Sequence, residues 1–383
     1  MNAETPSKVL HVIPGFGWNG TFGGAERTVY NIVRGLAGAK TYTPTLCVLR
    51  HPAPPDDAQM EGCEILTLDY DGPDRDFEML TRCSVRLRAI IKRRRPAIVH
   101  SHLWPAAAVS GCALKGLAVP HVVHIHDTRP WLASSQLKHR ARRAINRWLL
   151  GPSAHFIACA NSVRDYTAQH FLPSAEIRTV YYGIDSERPF RRPDRASAAD
   201  AVKTIGTAAR LRPEKGLDQL ISACRALRDE GVAFRLKIAG GGALLAQYRE
   251  RVREAGLADC IQLLGFVTDI PSFLSGLDVF VLSSTATEGL PIGLLEAMAS
   301  RLPVVASSVA GIPEAVTNGE EGFLIPPGDV PALCAALKKL VADPTLARDM
   351  GLRARARIER SFMLEHQIHE ITRCYNRILG RPN

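Results

Sequence analysis

Along most of the chain, short runs of consecutive apolar and β-branched residues alternate with longer amphipathic stretches. Such runs fall at 9–13, 45–49, 65–68, 98–102, 122–126, 156–160 and 177–181. They recur at 203–208, 234–239, 261–264, 279–282, 304–307 and 322–325. A strand with one face in water alternates apolar and polar residues, whereas a strand covered on both faces is apolar throughout. The pattern therefore predicts parallel strands with helices on both faces, and it does so twice: an α/β chain of two doubly wound, Rossmann-like parallel-sheet domains. The stretch 187–195 (ERPFRRPDR) is polar, proline-bearing and without periodicity, as a linker would be. It sets an N-terminal domain at 1–190 and a C-terminal domain at 200–362. Ligands of such sheets bind beyond the carboxyl ends of the strands. Two domains of this kind are expected to face each other across a cleft, with the chemistry in the loops that follow the strands.

Length and composition exclude several classes. With 383 residues, 46% hydrophobic and 22% charged, the chain can bury sizeable cores, which argues against disorder, collagen-like repeats and a coiled coil. No run of 18 apolar residues occurs, so no transmembrane helix is expected. The first residues, MNAETP, have neither a basic segment nor an apolar one, and no secretory signal is expected. Nine cysteines stand singly with no C-x-x-C, which reads as reduced thiols in a cytoplasmic protein, without zinc.

Lysine and arginine outnumber aspartate and glutamate 48 to 38, a net charge of +10, which favours anionic partners. Two runs carry basic residues and no acid, from Arg82 to Arg95 and from Lys138 to Arg147. In the second, Leu137, Ala141, Ala144, Ile145 and Trp148 recur at helical spacing as one apolar stripe. Lys138, Arg140, Arg142, Arg143 and Arg147 cover the rest of that helix. Two readings stand: a solvated basic face, or attraction to an anionic membrane surface through Arg140, Arg142, Arg143 and Arg147. Nucleic acid is not expected, since the basic runs carry no interleaved aromatics and no nucleic-acid-binding signature is present.

The strand ends hold the candidate chemistry. After the first strand, residues 15–24 contain five glycines and lead into a helix at Gly23-Gly24. Such a loop can bring backbone N–H groups to an anion at a helix N-terminus, although the spacing fits neither the dinucleotide fingerprint nor a P-loop. Trp18 and Phe22 in this loop suit a bulky acceptor or local packing equally well. The run at 122–126 ends in His124-Ile125-His126-Asp127, and period-2 alternation puts both histidines on one side. Two histidines on one strand suggest metal only with a third ligand, and no metal motif supplies one. His126, nearest the strand end, is the functional candidate.

In the second half, Arg210-Leu211-Arg212-Pro213-Glu214-Lys215-Gly216 offers cations next to a helix start, which can neutralise a pyrophosphate. Gly240 and Gly241 close the next strand, where missing side chains let a ligand approach the backbone. Glu288-Gly289-Leu290-Pro291 leads into a helix expected near Leu290, with Pro291 in its first turn and Glu296 further along. Two carboxylates at this offset could hold hydroxyls of a sugar and of a ribose.

These segments, together with Leu264-Gly265-Phe266-Val267 and the looser matches at Gly23-Gly24, His126-Asp127 and Asn161-Ser162, resemble the retaining glycosyltransferases of family 4, which have the GT-B fold. The resemblance implies a nucleotide-diphosphate-sugar donor held mainly by the C-terminal domain and a saccharide or lipid-linked acceptor held mainly by the N-terminal one. It also implies that the last helix, about 363–383, packs back on the first domain. Carried over by position, Arg210 and Lys215 would bind the donor diphosphate. Glu296 would bind the ribose hydroxyls, and Glu288 with Gly289 and Leu290 the sugar. Gly240 and Gly241 would line the donor site, and Phe266 and Val267 would flank the base. His126 would lie near the transferred sugar, and Gly23-Gly24 near phosphates and acceptor. His126, Arg210, Lys215 and Glu288 form the expected catalytic set, without metal or cofactor. The chain departs from the family at Tyr182-Gly183-Ile184-Asp185, where an asparagine often precedes Gly-Ile-Asp. Such an enzyme would serve cell-surface polysaccharide or glycolipid synthesis from the cytoplasm, with peripheral attachment to the inner membrane face as a further expectation. A sugar-nucleotide epimerase on the same fold, or a non-catalytic nucleotide-sugar-binding protein, are the alternatives.

Overall fold

The computed structural model describes residues 6–15, 23–50, 63–72, 76–151, 154–185, 202–286 and 288–382. The linker at 187–195, Trp18 and Phe22 lie outside the described residues.

In chain order the first half holds β1 (Ser7–Ile13), α1 (Gly24–Ala39), β2 (Tyr42–Val48), β3 (Glu64–Thr67), α2 (Asp76–Arg94), β4 (Ile98–His102), α3 (Trp104–Leu114), β5 (His121–Ile125), α4 (Pro130–Ala133), α5 (Leu137–Leu150), β6 (Ala154–Ala158), α6 (Asn161–His170) and β7 (Ile177–Thr179). The second holds β8 (Lys203–Ala208), α7 (Leu217–Asp229), β9 (Phe234–Ala239), α8 (Leu245–Glu254), β10 (Ile261–Gly265), α9 (Ile270–Ser275) and β11 (Val279–Leu282). It continues with α10 (Ile292–Ala299), β12 (Val304–Ser307), α11 (Ile312–Ala315), β13 (Gly322–Ile325), α12 (Val330–Ala342), α13 (Pro344–Ser361) and α14 (Leu364–Ile378).

Each of the thirteen apolar runs read from the sequence is a strand, with its ends displaced by three residues or fewer. The largest displacement is at β2, which extends back through Pro44. Strand β3 begins opposite Thr45, so no ladder bond to β3 is lost at the proline.

The strands form two wholly parallel sheets, one in each of two compact units, Met1–Gly183 with Leu364–Asn383, and Ile184–Met363. The first sheet has the order β3-β2-β1-β4-β5-β6-β7 and the second β10-β9-β8-β11-β12-β13. In the first unit one face of the sheet, with Leu10, Val12 and Val99, is buried under Leu87 of α2 and Val109 of α3. On the opposite face, Val9, Ile98 and Val122 pack against Ile32 and Leu36 of α1 and against Leu364, Ile368 and Ile371 of α14. The final helix thus closes the core of the first unit. Gly35 permits the crossing: a Cβ there would lie 2.6 Å from the Ile368 side chain. The second unit is built around Ile205, Leu236, Val279 and Val305, covered by Leu220 and Leu227 of α7 and Leu337 of α12.

Two local expectations are corrected. The apolar stripe of α5 faces solvent: Leu137 is 80% exposed, Ile145 53% and Trp148 68%, while Asn146, Leu149 and Leu150 are the buried residues of the helix. It docks by that other face against α3, where a Cβ on Gly111 would meet the Leu149 carbonyl at 2.6 Å. Helix α10 begins at Ile292, two residues later than read, because Pro291 is its N-cap in extended backbone rather than part of its first turn.

Candidate functional site

In the second unit, β8 and β11 are neighbours from which the strand order runs outward in both directions, the switch point of a doubly wound sheet. The two loops that follow these strands are tied together. Gly216, with φ of +66°, sits so close to the second loop that a Cβ would lie 1.9 Å from the Ser283 carbonyl oxygen. Only glycine satisfies both the left-handed backbone and the contact. The Ser283 hydroxyl donates to the carbonyls of Lys215 (3.1 Å) and Gly216 (2.9 Å), and Thr285 N–H donates to the Glu214 carbonyl at 2.9 Å.

That backbone clamp fixes the pair above it. The Lys215 ammonium donates to Glu288 Oε1 at 2.5 Å, and the Ser284 hydroxyl donates to the same oxygen at 2.6 Å. Lys215 keeps 21% of its side chain exposed and Glu288 only 7%. A cation is thereby held at the strand ends by a buried carboxylate, with its remaining donors available to an anion. Arg210, half-buried, lies two residues beyond the end of β8.

The other expected donor-site residues lie on adjoining strand ends. Gly240 follows β9, and a Cβ there would meet the Ala209 carbonyl at 2.0 Å, so this close strand-end crossing also requires glycine. Gly241 lies beside Phe266, which follows β10 and is 45% exposed, with Val267 half-buried next to it. Gly289 accepts a hydrogen bond from Gly311 N–H (2.9 Å), and Leu290 is buried. Glu296 is also buried, on α10, a helix otherwise apolar over this turn. Ser283, Ser284 and Thr285 are what sequence reading missed as supports; their position directly after a strand and before Glu288 was the available signal.

The first unit has a different kind of site. Positions 9 and 11, 98, 100 and 102, and 122, 124 and 126 share one sheet face, because β1, β4 and β5 are adjacent with His11 opposite His100 and His102 opposite His124. Aliphatic residues occupy the amino ends of that face, under α14, and five histidines occupy its carboxyl ends. The rings pack closely: His102 stacks on His11 at 5.3 Å and lies tilted against His100 at 4.2 Å, and His124 stacks on His126 at 4.4 Å, between centroids. A hydrogen-bonded row runs from His11 Nδ1 to His102 Nε2 (3.0 Å), from His102 Nδ1 to His126 Nε2 (3.2 Å), and from His126 Nδ1 to the Tyr182 hydroxyl (2.5 Å). His100 Nδ1 meets the Tyr375 hydroxyl of α14 at 2.6 Å. Burial holds His11 and His124 down to about 3 and His100, His102 and His126 well below the usual range, so all five rings are neutral at pH 7.

Both ring nitrogens of His126 are therefore engaged by the protein, and the ring is buried. Tyr182, the residue at which the sequence departs from the family it resembles, is what holds Nδ1. Gly23 caps α1, accepting from Arg27 N–H at 3.1 Å, and Gly24 accepts from the Thr28 hydroxyl at 2.9 Å. All nine cysteines are free thiols, and among the described residues no helix is long and apolar enough to cross a membrane.

Comparison with known proteins agrees with this architecture. The model of Glycosyltransferase Family 4 matches residues 22–188, and that of Glycosyl transferases group 1 matches residues 192–357. The glycogen synthase of Mycobacterium tuberculosis is 30% identical over 372 residues, 89% of this chain and 87% of that protein. The amylovoran biosynthesis glycosyltransferase AmsK of Erwinia amylovora is 36% identical over 197 residues, 50% of this chain and 48% of that one. Among solved structures, sucrose-phosphate synthase of Thermosynechococcus elongatus superposes with a TM-score of 0.84 at 20% identity, covering 97% of this chain and 99% of that one. The two parallel-sheet units are those of the GT-B fold, and the chain belongs to the family-4 glycosyltransferases.

Proposed function

We propose that the protein transfers a sugar, with retention at the anomeric carbon, from a nucleotide-diphosphate-sugar to a saccharide or lipid-linked acceptor in the synthesis of a polysaccharide or glycolipid. The observation that carries this reading is the Lys215–Glu288–Ser284 cluster at the β8/β11 switch point. Breaking the anomeric bond puts negative charge on the departing diphosphate and oxocarbenium character on the sugar. A cation already fixed by a carboxylate meets that charge without reorganising, the kind of stabilisation that removes the most from such barriers. Lys215 and Arg210 would share the diphosphate, with no divalent ion required. Glu288 would orient Lys215 and hold a sugar hydroxyl, and Glu296 would accept from the ribose. Exposed Phe266 would flank the base. On the first unit, His126, held by Tyr182 and His102, would serve the transferred sugar, and Gly23-Gly24 the phosphates and acceptor. In this reading the leaving phosphate itself assists attack from the face it departs.

The outward apolar stripe of α5 supports peripheral attachment to an anionic membrane. Leu137, Ile145 and Trp148 would enter the interface, flanked by Lys138 and Arg140, as in a helix that lies in the plane of a membrane. Of the other basic residues, Arg143 donates to the carbonyls of Trp131 and Ser134, Arg147 donates to that of Phe171, and Arg142 lies over the Trp131 ring. These three help to hold the helix in place.

The test is incubation with a panel of nucleotide-sugars and saccharide acceptors. Release of nucleoside diphosphate with a matching mass increase of the acceptor, and an unchanged anomeric configuration by NMR, is expected. Isomerised donor with no transfer would instead identify an epimerase.

A further inference from the structure

The five clustered imidazoles on the first unit's sheet exceed what sugar transfer uses. His11 Nε2, His100 Nε2 and both nitrogens of His124 are buried and meet no hydrogen-bond partner among the described residues. Burying such a group without a partner is costly, so a cluster of them calls for explanation. A close-packed cluster of imidazoles with unpartnered ring nitrogens has the donor chemistry of a transition-metal site.

We propose that His102, His124 and His126 bind a transition-metal ion of the zinc and cobalt class. Each residue offers one ligand nitrogen, and the three atoms lie within 4.8 Å of one another. His102 Nδ1 and His126 Nε2 are 3.2 Å apart. Two imidazole ligands of a tetrahedral ion, each at about 2.0–2.1 Å, stand about 3.3 Å from each other, so a metal can take the place of the proton between this pair with little movement, the proton passing to the outer nitrogen of the ring that carried it. His124 surrenders no hydrogen bond on joining them, since neither of its nitrogens has a partner.

The outer contacts fit as well. Metal-bound imidazoles donate their second N–H to an oxygen or another acceptor, which fixes the ring. Here His126 Nδ1 already meets the Tyr182 hydroxyl, and His102 Nε2 already meets His11 Nδ1. Three protein ligands leave a fourth position for water or another small ligand. Nitrogen ligands select zinc, cobalt, nickel or copper over magnesium, so the site is not one for a diphosphate-bound magnesium ion. His126 is the least buried of the five, 6% exposed against 0–1% for the others.

The test uses the whole chain, stripped with chelator and titrated with cobalt(II) chloride alone. One equivalent is expected to produce the visible absorption of four-coordinate cobalt, which zinc then abolishes, and zinc is expected to raise the melting temperature. His124→Asn should weaken cobalt binding by about tenfold or more, a scale reached even by outer contacts of metal sites. Should that variant not fold, His126→Gln is read in the same way. A folded wild-type chain with no visible band at one equivalent, or a band unchanged in the folded variant, would overturn the site. The readout is optical and does not depend on sugar transfer.

Discussion

The two units have the same architecture and opposite ways of using polar residues. The first gathers five histidines on one sheet face, four within β1, β4 and β5 and His126 just beyond β5, on a face that is aliphatic one turn of the pleat earlier, and keeps them neutral by burial. The second has no histidine on its strands and puts its paired charge in the loops after β8 and β11, where Lys215 and Glu288 neutralise each other and Lys215 stays partly exposed. All twelve histidines belong to the first unit, at sequence positions outside 184–363. Charge survives only where water or a partner remains in reach. The loops of the second unit can therefore meet an anion, and the strands of the first can offer only neutral nitrogen.

Acid should separate the units most sharply. His11 and His121 have folded values of about 3 against an ordinary 6.5. Between these limits the unfolded chain takes up protons that the folded chain cannot. Their contribution is therefore complete above about pH 6.5 and is lost as the pH falls, by about 2 kcal/mol for each ring at pH 5. Hydrogen exchange followed by mass spectrometry at pH 5 should show β1, β4 and β5 deprotected while β8 and β11 stay protected. Equal deprotection of both sheets would break the contrast.

Next in size is Lys215→Ala, which should lower turnover by about 10²–10³-fold, the scale of losing one preorganised donor to developing charge. Its melting temperature, measured alongside, separates lost chemistry from lost folding; a fall in activity matched by the unfolded fraction would remove the assignment. Glu296→Ala should weaken nucleotide-sugar binding by about tenfold, read by calorimetry, as expected for a carboxylate that accepts hydrogen bonds. Unchanged affinity would leave Glu296 without a ribose role. The smallest effect belongs to α5. Ile145→Gln with Trp148→Gln should reduce sedimentation with anionic vesicles severalfold, and Lys138→Gln with Arg140→Gln should act at about 1 kcal/mol per charge. Neutral vesicles should bind neither form.

The same contrast explains what the sequence disclosed. Strands buried on both faces are written locally, as apolar runs, and all thirteen could be read. The second unit's cluster was legible because Lys215-Gly216 and Ser284 through Glu288 are contiguous motifs at strand ends. The histidine row was not. His100 and His102 on β4 gave no signal toward His124 and His126 until the register set His102 opposite His124 and supplied the third ligand that two histidines on one strand lacked. Helix α5 misleads for a related reason. Its apolar stripe has the period of a buried face, yet the helix is anchored by Leu149 and Leu150 near its end, and only tertiary packing decides which side turns inward.

The central claim is that Lys215 and Arg210 receive the leaving diphosphate at the β8/β11 switch point. A crystal structure with an intact or hydrolysed nucleotide-sugar bound tests it most directly. The account predicts phosphate oxygens within hydrogen-bond distance of both side chains and the ribose on Glu296. A diphosphate bound elsewhere, with the Lys215–Glu288 pair untouched, would contradict it.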